Sequence, residues 1–164
     1  MEKKNEIYIS IFNEYRQKIL RICFAYLDDK SFAEDIFQDV LLAIWMGLDK
    51  FRNESSYGTW IYRITVNTIF LFNKQQGKKR SDRISDNIID SSVSEMDKKI
   101  SEEKHLDKLY KAISRLEEFD RILISLYLEK LKYEEIGLIL GISTNHVGVK
   151  LNRIKDKIQK QLNQ

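Results

Sequence analysis

The chain has 164 residues, 43% apolar and 32% charged, with no proline, six glycines and one cysteine. That composition describes a globular chain with a well-solvated surface, long enough for one compact domain or two small ones. It excludes an intramolecular disulfide or a cysteine-cluster metal site, and it argues for helices on short polar loops rather than a β-sandwich.

The net charge of +3 is uninformative, but its distribution is not. Residues 1–80 carry 13 Lys/Arg against 10 Asp/Glu, residues 81–103 carry 3 against 7, and residues 104–164 carry 12 against 8. Two basic lobes on either side of an acidic connector suit a nucleic-acid binder that touches its ligand twice. The N-terminal MEKKNEIYIS has no apolar signal core, and no run approaches a membrane span, so a cytoplasmic chain without membrane insertion is expected.

From Ile7 to Leu27, Tyr8, Ile11, Tyr15, Ile19, Ile22 and Tyr26 recur every three or four positions, which predicts a long amphipathic helix. Cys23 lies within this apolar surrounding and reads as a small buried residue. Ser31 followed by Glu34 forms a capping box, so a second helix should begin there with Ile36, Phe37, Val40, Leu41, Ile44 and Leu48 inward. Glu34, Asp35, Gln38 and Asp39 gather in its first turns. Acids at a helix N-terminus are favoured by the dipole, and that explanation leads over a docking face for another protein.

Asn53-Glu54-Ser55-Ser56 reads as a loop with two candidate N-caps. The helix after it should run from Tyr57 to about Lys74, with Trp60, Ile64 and Leu71 inward. Tyr57, Trp60, Tyr62, Phe70 and Phe72 are too many rings for one inward stripe. Some should lie on the surface beside Arg63, Asn67, Asn73 and Lys74, where rings and amides suit unstacked bases. A crowded core helix explains the pattern equally well. Lys78-Lys79-Arg80 favours a phosphate backbone nearby. Residues 81–103, rich in Ser, Asp and Asn, read as a flexible acidic tether.

The second half resumes helical periodicity at Leu106, Leu109, Tyr110, Ile113 and Leu116, then at Phe119, Ile122, Leu123, Leu126 and Tyr127. In YEEIGLILGISTNHVGVKLNRIKDKIQKQL, a short helix carrying Ile136 and Leu140 meets a turn at Gly141-Ile142. Ser143 then caps a longer helix facing inward through Val147, Leu151, Ile154 and Ile158. This is the spacing of a helix-turn-helix. Its second helix would present Thr144, Asn145, His146, Val149 and Lys150 to base edges, with Arg153, Lys155 and Lys157 behind them for phosphates.

With AEDIFQDVLLAIW, FRNESSYGTWIYRITVN and a basic end in the first half, and LYKAISRLEEFDRILISLYLEKLKYEEIGLILGIS with NRIKDKI in the second, the chain resembles the extracytoplasmic-function sigma factors of bacterial RNA polymerase. The resemblance covers both of that family's signature regions in order. It implies an all-α fold of two small helical domains, region 2 at 1–80 and region 4 at 104–164, joined by the linker 81–103.

It further implies that Glu34, Asp35, Gln38 and Asp39, with Leu42 and Trp45, grip core polymerase. Asn53, Glu54, Ser55 and Ser56, with Trp60, Arg63, Asn67 and Lys74, would open the minus-10 element. Ser143, Thr144, Asn145, His146, Val149, Lys150 and Arg153 would read the minus-35 element. The partners implied are core RNA polymerase, promoter DNA and an anti-sigma factor.

Two departures from the family's pattern stand out: Gly148-Val149-Lys150 where relatives often carry Lys-Ser-Arg, and Val66 and Leu71 where polar residues are common. With only His105 and His146, no phosphate-cradling glycine loop and no metal-ligand spacing, neither catalysis nor a cofactor is expected. A stand-alone helix-turn-helix regulator is the competing reading; it leaves the aromatic helix at 57–74 without a role.

Overall fold

A computed structural model describes residues 2–27, 30–80 and 108–163, with the side chains of 30, 31 and 76–80 left out of the description. The described residues form helices joined by short loops: α1 (Glu2–Tyr26), α2 (Lys30–Gly47), a 3-10 turn (Leu48–Lys50) and α3 (Tyr57–Arg80) in the first half. The second half contains α4 (108–114), α5 (Glu118–Leu128), α6 (Tyr133–Leu140) and α7 (Thr144–Leu162). The acidic tether expected at 81–103 lies outside the described residues.

The apolar stripes account for this arrangement. Ile11, Ile19, Ile22, Cys23 and Tyr26 of α1 meet Ala33, Ile36, Val40 and Ile44 of α2 in a core where most of these side chains lose all contact with water. Burying each aliphatic chain contributes about 1.5–3 kcal/mol. Burial also raises the Cys23 thiol to about 12, which leaves it a packing group as its setting implies. Helix α2 begins one residue before Ser31, so that serine sits in its first turn.

Helix α3 departs most from its expected form. It runs to Arg80, six residues beyond Lys74, and buries Ile61, Tyr62, Val66 and Ile69. Leu71, expected inward, is 61% exposed, while Trp60 and Ile64 are only partly covered. The inward face is rotated because α3 packs against α1 and α2 on one side and α6 on another. Val66, one of the departures from the family's pattern, is a core residue at 1% exposure.

The helix-turn-helix follows its sequence closely. Gly141 takes φ 70°, the left-handed cap that ends α6. Ser143 accepts a hydrogen bond from the backbone N–H of His146 at 3.2 Å and starts α7. Val147, Leu151, Ile154 and Ile158 are all buried. A Cβ on Gly137 would stand 2.7 Å from the carbonyl oxygen of Ile142. Only glycine lets the turn fold back on α6 there, a requirement that periodicity does not reveal.

Candidate nucleic-acid interface

The loop between the 3-10 turn and α3 is built to hold an aromatic ladder. Ser56 caps α3: its Oγ accepts from the Thr59 N–H at 3.1 Å, and its carbonyl accepts from Trp60 N–H. Of the two candidate N-caps, Ser56 is therefore the one used. The cap fixes the entry of α3, so Phe51 lies 4.5 Å from the Tyr57 ring in a stacked pair and 4.9 Å from the Trp60 ring. Beside these rings opens a cleft of about 370 Å³, lined by Lys50, Arg52, Glu54, Ser55, Thr59 and Arg63 among others. Rings, hydroxyls and cations around a cavity of that size suit a single unstacked base and its phosphate.

Asn53 and Ser56 are exposed on the same loop, and Asn53 adopts a left-handed backbone at φ 56°. Arg63, Asn67 and Lys74 are exposed on α3 at intervals of four and seven, which places them on one face with Phe70. Of the predicted set, Glu54, Ser55, Trp60 and Arg63 line the cleft, Asn53, Ser56, Asn67 and Lys74 are exposed outside its lining, and Lys50, Phe51 and Arg52 line it in addition. Sequence reasoning missed those three because they precede the loop rather than follow it. The density of rings on both sides of Asn53–Ser56 was the available signal. Tyr62, by contrast, is buried against Tyr15 at 6.1 Å between centroids, and desolvation raises both phenols.

On α2, Glu34, Asp35, Gln38 and Asp39 are exposed, and Leu42 is 56% exposed on the same helix. Met46, 64% exposed, extends this surface. Trp45 is different: Tyr8 meets it edge-on at 5.2 Å and Lys4 lies 4.5 Å from its ring. The same lysine is paired with Asp49. Trp45 therefore fastens the start of α1 to α2 as well as bordering the acidic face.

On α7, Thr144, Asn145, His146, Val149 and Arg153 are exposed beside the capping Ser143. Lys150 does not join them as a free cation. Its Nζ lies 3.2 Å from Asp120 and 4.9 Å from the Phe119 ring, both on or near α5. Lys157 bonds the other oxygen of the same carboxylate at 3.2 Å, and Lys155 reaches the Tyr127 hydroxyl at 3.1 Å. Asp120 is buried, so its two lysines answer a desolvated charge within the fold. Of the four cations expected to face DNA along α7, Arg153 and Lys155 are exposed without an ion pair among the described residues, and Lys155 leans on Tyr127.

Among the described residues no group of acidic, histidine or cysteine side chains is placed to hold a metal, and no helix is long and apolar enough to cross a membrane.

Comparison with known proteins gives these two halves their names. The profile of Sigma-70 region 2 matches residues 11–78, and that of Sigma-70 region 4 matches residues 106–158. The chain is 28% identical to RNA polymerase sigma factor SigV of Bacillus subtilis, over 99% of this chain and 96% of that one. It is 25% identical to the ECF RNA polymerase sigma factor SigW of the same organism, over 96% and 89%. Its fold is that of the sigma factor RpoE solved with the anti-sigma factor NepR from Bartonella quintana, at a TM-score of 0.78 and 20% identity over 96% and 98% of the two chains. A stand-alone helix-turn-helix regulator does not account for the region 2 match, and the chain belongs to the extracytoplasmic-function group of the sigma-70 family, the RNA polymerase sigma factors.

Proposed function

We propose that the two halves divide promoter recognition, the α3 face holding the opened minus-10 strand and the α7 face reading the minus-35 duplex. The observation that carries this reading is the cleft beside Phe51 and Trp60, with Glu54 and Ser55 on its rim and Arg63, Asn67 and Lys74 in line along α3. Extruding a base costs a few kcal/mol when a pocket receives it. Stacking on an aromatic side chain returns roughly 1–3 kcal/mol per base, so strand opening can proceed on binding energy without nucleotide hydrolysis. The phosphates on either side of the base meet Lys50, Arg52, Arg63 and Lys74.

On the duplex, Thr144, Asn145, His146 and Val149 occupy the N-terminal turns of α7, the part of such a helix that meets base edges in the major groove. Ser143 supports them through its cap, and Arg153 supplies a phosphate contact. Lys150 serves chiefly to hold α7 on α5.

Glu34, Asp35, Gln38 and Asp39, with the apolar Leu42 and the edge of Trp45, form the surface for core polymerase. The exposed Leu42 and Met46 support this reading over the helix-dipole one, since in water they stabilise nothing within this chain. The protein acts as a specificity subunit without catalysis of its own, in the cytoplasm where the polymerase is. An anti-sigma factor, as in the RpoE–NepR pair, is its regulatory partner.

Run-off transcription with purified core polymerase tests the reading as a whole: promoter-directed transcript is expected, and duplex binding without any effect on core polymerase would sink it. Charge reversal of Asp35 and Asp39 should weaken core association at least about tenfold, as loss of paired interface charges does, and leave duplex binding unchanged. Undiminished core affinity would remove this face from the interface.

A further inference from the structure

The outward face of α7 carries a row of three residues, Asn145, Val149 and Arg153, spaced i, i+4 and i+8 and all exposed. Neighbours in such a row lie about 6 Å apart along the helix axis. An amide and a guanidinium suit a nucleic-acid groove, but the valine between them has no explanation within the fold. Val149 stands two residues from Val147 and two from Leu151, both fully buried, so it is turned about 200° from each and points away from the core. It is 42% exposed. Its branched Cβ also makes it a poorer helix former than most residues at a solvent position. A single apolar side chain in water is ordinary on a protein surface. What marks this one is its place in the row and the behaviour of its neighbours.

Both flanks of Val149 are cleared. Gly148 has no side chain and lies against α6, where an added Cβ would meet the Tyr133 ring at 3.5 Å. Lys150 is drawn back to α5, its Nζ 3.2 Å from Asp120 and 4.9 Å from the Phe119 ring. Asp120 is buried and holds only Lys157 besides, so withdrawing Lys150 would strip a desolvated carboxylate of one of its two cations. The isopropyl group of Val149 therefore faces outward with no polar side chain competing from either adjacent position.

In the major groove one base feature matches an isolated apolar group, the C5 methyl of thymine. The other base edges offer donors and acceptors, which an aliphatic group would desolvate without return. Asparagine pairs best with N6 and N7 of adenine. Bases along a strand are about 3.4 Å apart, so a 6 Å step along the row spans one or two base pairs.

We infer that Val149 is a specificity-determining residue: its isopropyl group packs on the C5 methyl of a thymine, one or two base pairs from an adenine read by Asn145. The inference rests on the assignment of α7 to the minus-35 duplex.

The test uses the full chain bound to core polymerase and a pool of short, fully paired duplexes with a randomised core. In the sequence selected, each thymine is replaced in turn by deoxyuridine, which lacks only the C5 methyl. We expect one of these replacements to lower affinity about fourfold, the loss of one buried methyl group. Val149→Ala should bind the thymine and deoxyuridine duplexes equally, and Val149→Ile, which keeps the branched surface, should keep the difference. Because V149A puts a better helix former at an exposed site, its melting temperature should be no lower than the parent's. A lower one would make Val149 a packing residue and overturn the inference. A parent indifferent to every replacement, a selected sequence without thymine, or a difference that persists undiminished in V149A would overturn it too. A pool that yields no shared sequence would instead overturn the assignment of α7 itself, and the inference with it.

Discussion

Helices α3 and α7 are the two elements proposed to face nucleic acid, yet they are built on different plans. Helix α7 has one inward stripe, Val147, Leu151, Ile154 and Ile158, and a polar opposite face that offers its N-terminal turns to solvent. Helix α3 has neighbours on more than one side, buries Tyr62 and Thr65 along with its aliphatic residues, and leaves Phe70 and Leu71 in water. On the proposed assignment the difference follows from the ligand. Reading a duplex needs a straight helix that fits a groove, and the protein supplies only edge contacts. Holding a parted strand needs rings and a cavity, so part of the helix must serve as wall and part as platform.

The largest expected effect separates these plans most sharply. Trp60→Ala removes one ring of the ladder formed with Phe51 and Tyr57. Affinity for a minus-10 single strand should fall by up to about 100-fold, as loss of one stacked base implies, with minus-35 duplex binding changed less than about twofold. Equal losses on both ligands would show that the two helices do not act separately.

A smaller effect distinguishes two cations of α7. Arg153→Ala should lower duplex affinity and flatten its salt dependence by about one phosphate contact. Lys150→Ala should instead lower stability by about 1 kcal/mol through the loss of one partner of buried Asp120, and leave the salt slope nearly unchanged. Denaturant titration alongside binding at several salt concentrations checks both; a steep loss of slope for Lys150→Ala would return that lysine to the DNA face.

The smallest effect concerns Gly148, where relatives of this family often carry a lysine. A Cβ there would meet the Tyr133 ring at 3.5 Å, an ordinary contact. Gly148→Ala should therefore stabilise the second half by about 0.5–1 kcal/mol, the helix-propensity gain, and raise its melting temperature. A drop in melting temperature would mean that α7 and α6 are packed more closely than α7's regular stripe suggests.

Much of this was legible in the sequence where one surface faces one neighbour. The stripes of α1, α2 and α7 gave their buried residues directly, and the turn at Gly141 and the cap at Ser143 were marked by residue type alone. The exposed acids of α2 and the loop Asn53–Ser56 were equally plain. Periodicity worked less well on α3, because a helix touched from several directions has no single apolar direction; hence Leu71 was assigned inward and Tyr62 was left among the candidate surface rings.

The sequence by itself determined the helices, their order, the helix-turn-helix and the family, since all of these depend on spacing along the chain. Only the tertiary structure decided which cations remain available. Lys150 and Lys157 are held by Asp120, Arg63 by the end of α6, and Arg21 by Glu129. A charge pair between residues 30 to 108 positions apart has no period and no motif, because Coulomb attraction records distance in space and nothing of separation along the chain.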